Sequence, residues 1–224
     1  MPAISLIFTS IFYFGLYNWI QIRYLLVNLI KPKINKTILF KNNKLLAKMR
    51  KKTKLQLSIK ILNEKKKMIG FMISSPPFKP VMLFSEKLYR SFNNDEMQWV
   101  ILHESAHYLT LHNLRFIIVQ LTLFATGVYL FYWLETGLII IVLMFVILSL
   151  IYIKLAKVFE YQANNYAAKN MDNPKGMITG NIKIMKANKG LFRNKILRYL
   201  LTIAVPFEER IKIAKKQLKL DHYE

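Results

Sequence analysis

Two stretches in the second half of this 224-residue chain constrain its fold most. Residues 116–134 (FIIVQLTLFATGVYLFYWL) and 136–153 (TGLIIIVLMFVILSLIYI) carry no charged side chain, and only Glu135 separates them. As helices they would cover about 27–29 Å each, close to the hydrocarbon thickness of a bilayer. Charge-free runs of this length are rare in soluble folds, so the pair reads as a transmembrane hairpin. Residues 3–22 form a third such run, and the first charge after it is Arg23. A secretory leader would need Lys or Arg ahead of that run and a small-residue cleavage site behind it, and neither is present.

The charge lies elsewhere. The chain holds 34 Lys and Arg against 12 Asp and Glu, a net charge of +22, although 54% of its residues are apolar. Fourteen of the basic residues fall between Lys31 and Lys67, against one acid, Glu64; residues 154–224 carry fifteen more against six acids. The start of the chain and the 134–137 turn have none. The positive-inside rule then places the N-terminus outside, residues 24–114 inside, the turn outside and the tail inside. The polybasic flanks would also be drawn to anionic lipid. With no cysteine in the chain, disulfides, iron–sulfur clusters and Cys-ligated zinc are excluded. Lys-, Ile- and Asn-rich usage is compatible with an AT-rich bacterium.

Between the apolar runs the pattern is mixed. Residues 41–52 read as a basic surface helix and 54–62 as a strand. Residues 68–85 read as two short strands punctuated by Pro76, Pro77 and Pro80. Asn93 followed by Glu96 resembles a capping box. Met97, Val100, Ile101, Ala106 and Leu109 then recur at helical intervals.

Within that helix lies His103-Glu104-Ser105-Ala106-His107, an HExxH motif. Two His four apart share one helical face and can reach one ion. Zn2+ is the expected cofactor, since nitrogen and carboxylate ligands leave one position open for water. Glu104, at a neighbouring azimuth, is the expected catalytic residue: it would take a proton from the attacking water and return it to the leaving amine.

A third ligand is needed. His112, five residues past His107, lacks the glycine turn and the spacing of a three-histidine site, since Thr110 stands at the glycine place. It reads as a surface or interface residue. Glu160 opens Glu160-Tyr161-Gln162-Ala163-Asn164 just past the hairpin, which would return it toward the histidines. The residues alone leave open whether Glu160 is a ligand or pairs with Lys157.

HExxH, a two-span hairpin and a Glu-x-x-Ala-x helix, in that order, resemble the HtpX-like and CAAX-prenyl-protease-like membrane zinc metalloproteases, a gluzincin group. Their second motif usually reads ExEAD, and here it reads EYQAN. The resemblance implies His103, His107 and Glu160 as metal ligands, with Asn164 able to hydrogen-bond a ligand histidine but not to supply an aspartate's charge. Pro206-Phe207-Glu208-Glu209-Arg210-Ile211 is similar to the group's P-x-E-E-R-I segment; Ala204 and Val205 stand where a His-Pro often precedes it. Pro77-Phe78-Lys79-Pro80-Val81-Met82-Leu83 is also similar to the protease domain of BlaR-type antibiotic sensors. The PFEERI segment and the hairpin favour the first group.

The expectation is therefore a mainly α integral membrane protein with about three transmembrane helices and a small α+β zincin-like cytoplasmic protease domain. Its segments would be an N-terminal span (1–30), a basic segment (31–67), strands and active-site helix (68–115), the hairpin (116–153) and a helical tail (154–224). Its setting would be the plasma membrane, with the active site on the cytoplasmic side, about 12 Å of helix from His107 to Arg115 at the hairpin's start. Expected partners are the lipid bilayer and a peptide or membrane-protein substrate. Arg210 and Tyr166 are oxyanion-donor candidates by residue type, although Arg210 could instead pair with Glu208 or Glu209. Residues 79–85 could be a peptide-binding edge strand or an ordinary core strand. A metal-binding immunity or adaptor protein without activity is the alternative reading. Charge alone would fit a nucleic-acid binder, but no such fold motif is present, and the topology already accounts for the charge.

Overall fold

The computed structural model describes residues 38–134, 138–187 and 205–220. The expected span at 3–22 and most of the 134–137 turn lie outside them. Described elements run in the order β1 (Ile38–Leu39), α1 (Asn43–Thr53), β2 (Ser58–Leu62), β3 (Gly70–Met72), β4 (Val81–Ser85), α2 (Glu86–Ser91), α3 (Asn94–Leu109), α4 (His112–Leu134), α5 (Leu138–Asn170), α6 (Lys175–Ala187) and α7 (Phe207–Leu220). The fold is mainly helical with one small sheet, as expected, and the basic helix and both proline-punctuated strands fall near their expected positions. Strand β1 carried no sequence signal.

The chain divides into two compact units, residues 1–35 with 114–152 and residues 36–113 with 153–224. In the first, the described parts of α4 and α5 are helical throughout, and the Phe116 ring packs 5.3 Å from that of Tyr152. Ile118, Leu121, Tyr129, Leu143, Ile147 and Leu150 are each more than half exposed. Among the described residues, no helix is long and apolar enough to cross a membrane. The expected count of three spans is therefore not carried into the fold.

The second unit holds the sheet, in the order β1-β2-β4-β3. Strand β2 runs parallel to β4, with Ile59 opposite Met82 and Ile61 opposite Phe84. Strand β3 runs antiparallel to β4 on its other side, with Met72 opposite Met82. Residues 81–85 are therefore an interior strand, and the edge-strand reading is set aside. Leu57, Ile61, Met82, Phe84, Ile101 and Met177 are fully buried between sheet and helices. Burying each such side chain contributes about 1.5–3 kcal/mol.

Helix α3 lies in the middle of this unit, and every residue from Glu96 to Ala106 is buried. Its start is fixed by the expected capping box. Asn93 Oδ1 accepts from Glu96 N at 2.9 Å, and Glu96 Oε2 accepts from Asn93 N at 2.9 Å. Lys183 of α6 donates to the same Glu96 oxygen at 2.6 Å. Glycine lets α6 come this close: a Cβ on Gly176 would lie 2.5 Å from the Asp95 carbonyl carbon.

The C-terminal end of α5 is tied down separately. Asp172 accepts from Lys48 at 2.5 Å, Lys52 at 2.7 Å and the Gln98 amide at 2.5 Å, while its backbone N–H donates to Gln98 Oε1 at 2.8 Å. The buried stripe Ala156, Phe159, Ala163 and Ala167 follows helical spacing. Together these hold the α5 face that bears Glu160.

Candidate metal centre

Three side chains from α3 and α5 converge. His103 Nε2 lies 3.4 Å from Glu160 Oε2, His107 Nε2 lies 3.3 Å from Glu160 Oε1, and the two Nε2 atoms are 3.3 Å apart. A tetrahedral zinc site with bonds of about 2.0–2.2 Å separates its ligand atoms by about 3.3–3.6 Å. The donor set is two nitrogens and a carboxylate, and each nitrogen lies from the other, and from its nearer carboxylate oxygen, at the spacing such an ion requires. His103, His107 and Glu160 could hold a metal ion.

The charge balance points the same way. Burial would push the Glu160 carboxyl up, but the His103 and His107 imidazoles outweigh it and hold it well below the usual carboxylate range. Burial lowers His107, and the Glu160 carboxylate overcomes this, leaving His107 raised. Glu160 is thus held as a carboxylate against the two imidazoles.

Glu104 is buried beside them. Burial raises its carboxyl above the ordinary value, opposed by the two imidazoles. Its Oε2 accepts the backbone N–H of Met72 at 2.8 Å. That N–H belongs to β3, and no side-chain pattern could have revealed it.

His112 is not a surface or interface residue: it is fully buried. The correction lies in the turn between α3 and α4. Thr110 caps α3, its hydroxyl donating to the Ala106 carbonyl at 2.6 Å. Leu111 then adopts φ 56°, a left-handed conformation that costs a non-glycine residue on the order of 1 kcal/mol or more. The reversal brings His112 Nδ1 to 2.9 Å from His107 Nδ1. His112 Nε2 lies 3.1 Å from Gln162 Oε1 of α5, and its ring stacks on Phe159 at 4.5 Å. Sequence reasoning tested His112 only as a ligand; its position five residues beyond His107 was the available signal.

Arg210, near the start of α7, lies beside Glu160, with its guanidinium over the Phe207 ring at 5.6 Å. Its Nη2 lies 3.8 Å from Glu160 Oε2, and its Nε donates to the Val205 carbonyl at 3.0 Å. Burial lowers its pKa, with Glu160 and Glu104 opposing. Glu209 instead takes the Tyr161 hydroxyl. Tyr166 packs against the hydrophobic core, where burial raises its phenol; among its described interactions none reaches the three ligands. Asn164 donates to the Glu160 carbonyl at 2.7 Å. Its Oδ1, like His103 Nδ1, is buried with no hydrogen-bond partner among the described residues.

The sequence profile of peptidase family M48 matches residues 41–216. The crystal structure of S. mikatae Ste24p aligns with a TM-score of 0.60 at 16% identity, covering 93% of this chain and 58% of that one. At that identity the likeness is one of fold, and the chain spans a little over half of Ste24p. No curated protein matches the sequence. The profile match takes in α3 with both histidines, Glu160 and Arg210, it falls on the first of the two groups the motifs resemble, and the chain belongs to peptidase family M48.

Proposed function

We propose that this chain is a zinc-dependent membrane metalloendopeptidase that cleaves membrane proteins or peptides near the cytoplasmic face. The observation that carries the reading is the convergence of the His103 and His107 Nε2 atoms on each other and on the two Glu160 carboxylate oxygens at 3.3–3.4 Å, with Glu104 buried alongside. His103, His107 and Glu160 would hold the ion, which when bound supplies Lewis acidity and a water of lowered pKa.

The remaining work belongs to the chain. Glu104, raised by burial, takes a proton from the attacking water and delivers it to the departing amine. The Met72 N–H holds its carboxylate in place. Arg210 brings a guanidinium beside the ligands and offers charge to the oxyanion of the substrate carbonyl.

The membrane setting is supported by the charge-free runs, by the exposed apolar side chains of α4 and α5 and by the segregation of basic residues. The inward-facing site rests on that charge segregation.

The test is Glu104→Gln in the full chain, purified in detergent and reconstituted in liposomes. Cleavage of a membrane-inserted reporter peptide should fall by about 10²–10⁴-fold, while zinc content stays at the unmutated level. Unchanged cleavage would overturn the mechanism. One observation favours a second reading, a metal-binding immunity or adaptor protein without activity: His103 Nδ1 has no partner among the described residues, in a chain whose second motif is altered. Full biological rescue by Glu104→Gln, with no cleavage by the unmutated protein, would establish it.

A further inference from the structure

Behind the three converging atoms lies a second, linear set of contacts that the proposed chemistry does not use. From Gln162 Oε1 it runs 3.1 Å to His112 Nε2, and from His112 Nδ1 it runs 2.9 Å to His107 Nδ1. We propose that His112 and Gln162 form a hydrogen-bond relay that fixes the tautomer and ring orientation of His107, making both positioning residues for the metal. The inference rests on the zinc-site reading above and deepens it.

The argument is one of proton counting. Two imidazole nitrogens 2.9 Å apart must share one hydrogen, because two lone pairs or two N–H groups would repel. The Gln162 carbonyl oxygen only accepts, so His112 Nε2 carries hydrogen and donates to it. Neutral His112 then has a bare Nδ1, which accepts from His107 Nδ1–H. His107 in turn presents a bare Nε2 to His103 and Glu160. Each link leaves its imidazole neutral, and the outcome is the tautomer a metal ligand needs.

Reversed polarity gives the opposite result. If the glutamine amide turned to donate, His112 would hold its hydrogen on Nδ1 and pass it toward His107. Nε2 of His107 would then be protonated and unable to ligate. The acceptor at residue 162 therefore decides which nitrogen of His107 faces the metal.

Two further features hold the relay. His112 is 0% exposed and lies parallel to the Phe159 ring, at 14°, so its plane is set by packing. The left-handed Leu111 turns the chain so that residue 112 faces back onto residue 107. Gln162 is exposed at the outer end, where substitution leaves the core intact.

The experiment uses the full chain in detergent, with zinc affinity measured by competition against a chromophoric chelator. His112→Phe keeps the ring stack and removes both nitrogens; zinc binding should weaken by about 10–100-fold. His112→Asn places an acceptor near the lost Nδ1 and should recover most of that loss. Gln162→Glu keeps an acceptor and should bind as the unmutated protein does. Gln162→Lys, a pure donor, should weaken binding several-fold. Nitrogen-15 NMR of the zinc-loaded protein should show hydrogen on Nδ1 of His107 and Nε2 of His112.

Unmutated affinity in His112→Phe, equal losses in the Phe and Asn variants, or hydrogen on Nδ1 of His112 would each overturn the relay. Should His112→Phe fail to fold, the two Gln162 variants decide, and equal affinity in both would overturn it. Zinc bound independently of His103 and His107 would remove the zinc site itself, and the relay with it.

Discussion

His103 and His107 sit one turn apart on the same helix and aim the same nitrogen at the same carboxylate, yet their far sides differ. His107 Nδ1 meets His112 at 2.9 Å. His103 Nδ1 is buried with no partner among the described residues, and the Trp99 ring lies 6.5 Å from its own. A buried donor left unpaired costs about 1–3 kcal/mol. One imidazole is set by hydrogen bonding, the other by packing. The lesson is that a symmetric motif can rest on asymmetric support; Asn164, where the resembling motif usually has an acid, spends its N–H on the Glu160 carbonyl, and its Oδ1, like His103 Nδ1, has no partner among the described residues.

The bluntest way to break the comparison is to remove either ring. His103→Ala and His107→Ala should each drop zinc below one equivalent after dialysis, measured by atomic absorption, because a near face of three donors cannot lose one. If only one variant lost the metal, the other histidine would not be a ligand. A milder change sharpens the contrast. Asn164→Asp restores the acid of the resembling motif beside Glu160 and should tighten zinc binding by about tenfold; unchanged affinity would mean that the charge at residue 164 does not support the ligands.

The smallest effect lies away from both rings. Burial works to raise Asp172 and Glu96, but the lysines and amides around Asp172 and the Lys183 and Asn93 contacts of Glu96 outweigh it and leave both depressed. A carboxylate whose folded pKa lies below its unfolded one adds stability above the unfolded value of about 4. That stability is lost as pH falls through the folded value. Thermal unfolding of the metal-free protein should therefore soften as pH drops below about 4. Asp172→Asn should flatten that decline; an undiminished decline would mean that other carboxylates carry it.

Helix α3 was legible because its signals are local: a capping pair three residues apart, apolar residues at helical spacing, and two histidines on one face. The strands at β2 and β4 were legible from alternation and proline punctuation. Glu160 was not readable from its neighbours, where Lys157 offered an equal partner, and came only through the motif resemblance. His112 escaped because it is reached across a left-handed leucine, a backbone state that leucine does not advertise. The interior place of β4 depends on pairing with β3, a contact between segments that residue pattern does not encode. Arg210 was suggested by residue type, but its proximity to Glu160 depends on where α7 begins.

The Met72 amide has one more consequence. It engages a single oxygen of Glu104, so the two halves of that carboxyl group are no longer equivalent. Oε2 is moored to the sheet, and under the proposed mechanism proton traffic would fall to Oε1, in and out through the same door. The acid would then need no rotation between receiving its cargo and giving it up, and the step from one half-reaction to the next would be a matter of what stands in front of that atom.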